Sequence, residues 1–126
     1  MSDTHVAWMF ELAVREGRDA DFRALMAEMA QATERNESRT LEYEWYMSDD
    51  GRRLHLWERY VDEAAALAHL RTFEQRFAAR FFDILRPERI TLYGARVEAV
   101  RAAMGDLRPP VMVRAAGFSR HGTSDG

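Results

Sequence analysis

Val6-Ala7-Trp8-Met9-Phe10-Glu11-Leu12-Ala13-Val14-Arg15 alternates from end to end. Val6, Trp8, Phe10, Leu12 and Val14 fall on one face, and Ala7, Met9, Glu11, Ala13 and Arg15 on the other. Successive side chains of a strand point to opposite sides, so this period of two predicts a strand packed hard on one face. Glu16-Gly17-Arg18 turns out of it. Asp19 is placed to cap the helix that follows, with Asp21 in its first turn, where the helix dipole favours an anion. Phe22, Leu25, Met26 and Met29 recur at spacings of three and four, which predicts an amphipathic helix to about residue 35.

The pattern repeats downstream. The polar stretch 36–39 breaks the helix. Leu41, Tyr43, Trp45 and Met47 then alternate with Glu42, Glu44 and Tyr46, a second strand. Ser48-Asp49-Asp50-Gly51 separates it from a third alternating run over 53–61, and Asp-Gly between two such runs signals a hairpin. Leu54, Leu56, Glu58 and Tyr60 share one face of that strand; His55, Trp57 and Arg59 share the other. Asp62 opens a short helix with Leu67 and Leu70. Thr72-Phe73-Glu74-Gln75 has the form of a capping box and predicts a restart there. Phe73, Phe77, Phe81, Ile84 and Leu85 form the apolar stripe of the second piece, which Arg86-Pro87 ends. A fourth strand is expected over 90–93 and one or two helical turns over 97–104.

Strand, helix, strand, strand, helix, strand is the ferredoxin-like split βαββαβ order of an α+β fold, one antiparallel sheet with two helices on one side. The sheet's other face carries Ala7, Met9, Tyr46, His55 and Trp57, a set too apolar for bare solvent. Two such faces packed together give a homodimer. With 126 residues the chain holds one domain: a tail over 1–5, the domain over 6–104, an extension over 105–118 with room for an extra strand, and a loose end over 119–126.

Composition removes several chemistries. There is no cysteine, hence no disulfide, thiolate nucleophile or cysteine-held metal. All 18 basic residues are arginine, so a lysine Schiff base and a phosphate-loop lysine are excluded. The arginines are scattered among 21 acids for a net charge of -3, which does not suit nucleic acid. No stretch approaches the roughly 18 apolar residues of a membrane span, and the N-terminus lacks a signal-peptide pattern. The expected location is the cytoplasm. His5, His55, His69 and His121 show no paired spacing, so no metal site is expected.

Four segments carry a resemblance. They are Trp8-Met9-Phe10-Glu11-Leu12-Ala13-Val14-Arg15-Glu16-Gly17-Arg18, Leu41-Glu42-Tyr43-Glu44-Trp45-Tyr46, Leu56-Trp57-Glu58-Arg59-Tyr60-Val61-Asp62-Glu63-Ala64-Ala65-Ala66-Leu67-Ala68-His69-Leu70, and Tyr93-Gly94. Over residues 6–104 the chain resembles the antibiotic-biosynthesis monooxygenase domain family of dimeric α+β barrels. The resemblance implies a homodimer sharing a barrel, and a small pocket in each subunit between sheet and helices. Family activities include cofactor-free oxygenation of aromatic polyketides, quinol oxidation and haem breakdown, and some members isomerise small metabolites. The haem-degrading branch carries an asparagine and a histidine where this chain has Phe10 and Ala79, so that reaction is not implied. A second histidine common in the family is replaced by the run Arg71-Thr72-Phe73-Glu74.

His69 aligns with the histidine closing the alanine-rich stretch of the family. Imidazole titrates near neutrality, so His69 is the expected base toward a phenol or quinol; a helix-surface histidine is the plainer reading. Glu58, on an apolar face, needs a partner, for which Arg76 or Arg80 is expected. It is a second candidate for orienting a substrate or moving its proton. Trp8, Phe10, Tyr43, Trp45, Tyr60, Phe73 and Phe77 are either plain core or the lining of a flat aromatic pocket. Tyr43 and Tyr60 bring hydroxyls that suit a substrate oxygen. The function expected is a cofactor-independent monooxygenase of a small phenolic, quinol or polyketide-type aromatic. The alternatives are a non-catalytic small-molecule-binding homodimer and a cofactor-free isomerase of a small carbonyl metabolite.

Overall fold

A computed structural model describes residues 3–120. The elements are β1 (Val6–Val14), α1 (Asp19–Asn36), β2 (Thr40–Met47), β3 (Arg53–Tyr60), α2 (Glu63–Arg76), α3 (Ala78–Ile84), β4 (Leu85–Tyr93), α4 (Glu98–Ala103), a 3-10 turn (Gly105–Leu107) and β5 (Val111–Met112). The sheet order is β2-β3-β1-β4-β5. The first three pairings are antiparallel, and β5 runs parallel to β4. The ferredoxin-like α+β architecture is therefore present, with one strand added at the β4 edge. His121 and the rest of the loose end lie outside the described residues. Among the described residues, no helix is long and apolar enough to cross a membrane.

The alternation works as expected in the central strands. Val6, Trp8, Phe10 and Leu12 of β1 are buried, as are Leu54, Leu56, Glu58 and Tyr60 of β3. They meet Phe22, Leu25 and Met29 of α1 and Phe77, Phe81 and Ile84 of the α2–α3 segment in one core. The opposite face is mixed. Met9 is half-buried, Trp57 lies 5.8 Å from Tyr93 ring to ring, and Tyr46 is 54% exposed. Glu42 accepts from the Trp57 indole N–H at 2.7 Å and from Arg59 at 3.1 Å, so polar bonds interrupt the apolar surface.

Several local expectations need correction. Asp19 does not cap α1: Arg18 holds the N-cap position, and its side chain binds Asp21 at 2.7 Å and Asp83 at 3.0 Å. The helix after β3 does not restart at Thr72. It runs unbroken from the Asp62 cap, whose carboxylate accepts from Ala65 N–H at 2.9 Å, and breaks only at Phe77. A capping-box pattern inside a helix finds its backbone donors already used by the helix itself. β4 begins at Leu85, not at residue 90. The pairing shifts register between Glu11 and Leu12, and this bulge accommodates Pro87, which has no N–H to donate to a ladder.

The chain beyond β4 closes one side of the core. Gly94 has φ of +147 and turns into the segment leading to α4. Glu63 of α2 accepts from the N–H groups of Ala99 and Val100 at 2.8 and 3.2 Å, filling two donors that the start of α4 leaves open. Arg101 donates to the Pro109 carbonyl at 2.8 Å. A Cβ on Gly94 would sit 2.9 Å from both His5 O and Val97 Cγ1, in a backbone region that side chains disfavour. Gly94→Ala is expected to lower unfolding free energy by roughly 1–3 kcal/mol in urea titration. An unchanged midpoint contradicts this close approach.

Candidate functional site

A cavity of about 500 Å³ opens between the sheet and the helices. β1 contributes Trp8 and Phe10, and β3 contributes Leu56 and Glu58. α2 supplies Leu67, His69, Leu70 and Phe73; α3 supplies Phe81 and Phe82; Met104 and Leu107 close the far side. Most of the wall is apolar, while Arg71, Glu74 and Asp106 add charge elsewhere on it. That volume suits a drug-sized molecule, and apolar walls with a few polar groups are usual for such sites.

The polar groups meet at His69. The side chains of His69 and Glu58 are both buried, at 5% and 3% exposure for the residues. His69 Nδ1 faces both oxygens of Glu37, at 2.8 and 3.0 Å. His69 Nε2 lies 3.1 Å from Glu58 Oε1, an ion-pair contact. Tyr60 donates its hydroxyl to the same Glu58 oxygen at 2.5 Å, and Thr40 donates to Glu37 at 2.8 Å. With a carboxylate at each nitrogen, only a ring protonated on both can serve both. Burial alone lowers the His69 pKa; the Glu58 and Glu37 carboxylates more than offset that and raise it from 6.5 to about 9. The rings of Tyr60, Tyr43 and Trp8 lie 5.3, 5.9 and 6.3 Å from that of His69, an aromatic surround that also favours a cation.

Each expected residue can now be located. Glu58, His69, Trp8, Phe10 and Phe73 stand together on the cavity wall. Phe77 lines a second, smaller chamber instead. Tyr60 is fully buried off the cavity wall, with its hydroxyl on Glu58 and its ring beside those of His69 and Trp8. Tyr43 and Trp45 lie on the helix side of β2 but not on the cavity wall. Burial raises the Tyr43 and Tyr60 hydroxyls well above the usual phenol range, and the Glu58 charge adds to this, so both stay protonated. The expected arginine partners of Glu58 are otherwise placed. Arg80 pairs with Glu28 at 2.8 Å, and the Arg76 guanidinium lies 5.0 Å from the Phe77 ring. The true partner is His69. Glu37 carries no sequence signal, since it sits in a polar stretch with nothing periodic to mark it.

The sequence model of the family described as antibiotic biosynthesis monooxygenase matches residues 6–80. MupZ from Pseudomonas fluorescens has a similar crystal structure, with a TM-score of 0.84 at 21% identity, covering 98% of this chain and 94% of MupZ. Rv0793 from Mycobacterium tuberculosis is similar at 30% identity and a TM-score of 0.61, covering 70% of this chain and 91% of its own. A conserved protein from Methanosarcina mazei Go1 is similar at 20% identity and 0.62, covering 72% and 92%. No curated protein is significantly similar in sequence.

The buried cation has a pH signature. The folded chain holds the His69 proton more tightly than the unfolded chain does. Its stabilising contribution is therefore complete below about 6.5 and is lost as pH rises to about 9. Thermal unfolding is expected to show a midpoint that falls across that window, with His69→Gln flattening the fall. A wild-type midpoint that rises with pH there contradicts a charged, buried His69.

Proposed function

We propose a function from one premise: the chain belongs to the antibiotic biosynthesis monooxygenase family. On our reading the protein is a cofactor-independent monooxygenase of a small phenolic, quinol or polyketide-type aromatic bound in the larger cavity. The observation that carries the reading is the buried His69–Glu58 pair on the wall of that apolar cavity, with Glu37 on the other nitrogen of His69.

The chemistry asks for a proton acceptor, a fixed positive charge and a dry slot. A histidine held as a cation is a poor base at neutral pH, so the proton-accepting role passes from His69 to Glu58. Both contacts described above fall on Glu58 Oε1; among the described residues, no hydrogen bond reaches Oε2. That oxygen is the proposed acceptor of the substrate's phenolic proton. The resulting anion is electron-rich enough to pass an electron to dioxygen. His69, charged and 3.1 Å from Glu58, steadies the negative charge as it moves from phenolate to oxygen, in a low-dielectric setting where such an interaction is strong. For an anthrone-like methylene, one oxygen atom ends as a carbonyl on carbon. The other leaves as water with the two hydrogens lost from that carbon. Trp8, Phe10 and Phe73 supply flat apolar surface for the ring, and Tyr60 orients Glu58.

The same acid and base suit a carbonyl isomerase, which consumes no oxygen. A second copy of the chain is the partner proposed for the outer sheet face around Met9, Trp57 and Tyr93. Oxygen uptake with a panel of hydroquinones and anthrones, without flavin and with chelator, tests the reading. Uptake is expected to persist under those conditions and to fall roughly 10²- to 10⁴-fold in Glu58→Gln. Anaerobic turnover of a carbonyl substrate points instead to the isomerase. Tight aromatic binding with no turnover points to a binding protein.

A further inference from the structure

Glu37 does not line the cavity that holds Glu58. It reaches His69 from behind, through a second chamber of about 270 Å³ whose wall includes Thr33, Asn36, Thr72 and Arg76. The turn that carries it is heavily tied. Glu37 N–H donates to the Thr33 carbonyl at 3.1 Å, closing α1, and Thr40 N–H donates to the Glu37 carbonyl at 3.1 Å. The Thr40 hydroxyl grips the Glu37 carboxylate itself at 2.8 Å. Two further links hold this turn to the start of α2. Val61 N–H donates to the Arg39 carbonyl at 3.1 Å, and Arg39 pairs with the Asp62 cap. The backbone therefore fixes Glu37 against the helix that bears His69.

We infer that Glu37 is the positioning residue of the site: it orients the His69 ring so that Nε2 faces Glu58 and the larger cavity, and it keeps that ring charged. The inference rests on the reading that Glu58 and His69 act on a molecule in that cavity. A carboxylate on Nδ1 settles which ring nitrogen points where, because a flipped ring would offer carbon to Glu37. His69 and the Thr40 hydroxyl let Glu37 remain an anion although it is half-buried. Burial alone raises its carboxyl pKa, but the bonds from His69 and Thr40 outweigh burial and hold it below the usual range. The titratable groups facing His69 are Glu37 from the end of α1, Glu58 and Tyr60 from β3, and Tyr43 from β2. β1 presents Trp8, and α2 itself adds Arg76 on the smaller chamber. Of these, only Glu37 bonds Nδ1.

The test is a nitrogen-15 NMR titration of the His69 ring in the whole protein, from about pH 5 to 10. Glu37→Gln keeps the shape of the side chain and removes its charge. Its His69 midpoint is expected to fall by about one unit or more, the usual effect of losing a close opposite charge. Thr40→Val leaves Glu37 in place but loosens it, and a smaller fall in the same direction is expected. If Glu37→Gln does not fold, Thr40→Val decides. A His69 midpoint unchanged in the folded variant overturns the inference. The titration needs no substrate, so its failure is distinct from failure of the oxygenase reading, which oxygen uptake alone decides. Where uptake is measured, Glu37→Gln is expected to move its pH profile while leaving KM near the wild-type value; a uniform loss at every pH overturns the positioning role.

Discussion

A charged imidazole buried between two carboxylates is the constraint on which the site depends. An ion taken out of water loses several kcal/mol of hydration, and one partner alone rarely returns it. His69 has Glu37 on one nitrogen, Glu58 on the other, and three aromatic rings around it. Three elements must converge for this to happen: the end of α1, the middle of β3 and the middle of α2. The βαββ order brings them together, because α1 and α2 both pack on the same face of the sheet as Glu58. The Arg39–Asp62 pair and the Thr40 hydroxyl then hold the junctions within hydrogen-bond range.

The charge distribution separates two chambers. The larger is mostly apolar and carries the Glu58 side of His69; the smaller is mixed, with Thr33, Asn36, Thr72 and Arg76 among apolar groups, and carries the Glu37 side. The buried Glu58–His69 pair therefore lies in a mostly apolar wall, where their interaction is stronger than it would be in water. The closing segment of α4 and the 3-10 turn completes that wall through Ala103, Met104, Asp106 and Leu107. Residues beyond the first four strands thus help to line the cavity.

Much of the fold was legible because burial leaves a periodic trace. The β1 and β3 alternation identified the buried face residue by residue, and Glu58 stood out as the one charge on an apolar stripe. The traces failed where local chemistry imitates or hides structure. Thr72-Phe73-Glu74-Gln75 looks like a helix start but lies inside α2, and the actual break at Phe77 has no glycine or proline to announce it. Pro87 hid the first half of β4, because a bulge made room for it. In the site, a strand face tells which side a residue takes but not how far its side chain reaches. Tyr43 and Trp45 took the expected side without meeting the cavity. Glu37 left no sequence signal because its partner is 32 positions away and belongs to another element.

The most direct measurement is neutron diffraction from deuterated crystals at neutral pH. It reads the protons on the His69 ring without mutation or substrate. Deuterium is expected on both Nδ1 and Nε2, with none on Glu37 or Glu58. A ring carrying a single deuterium, its missing proton found on either carboxylate, would contradict the buried cation at the centre of the site.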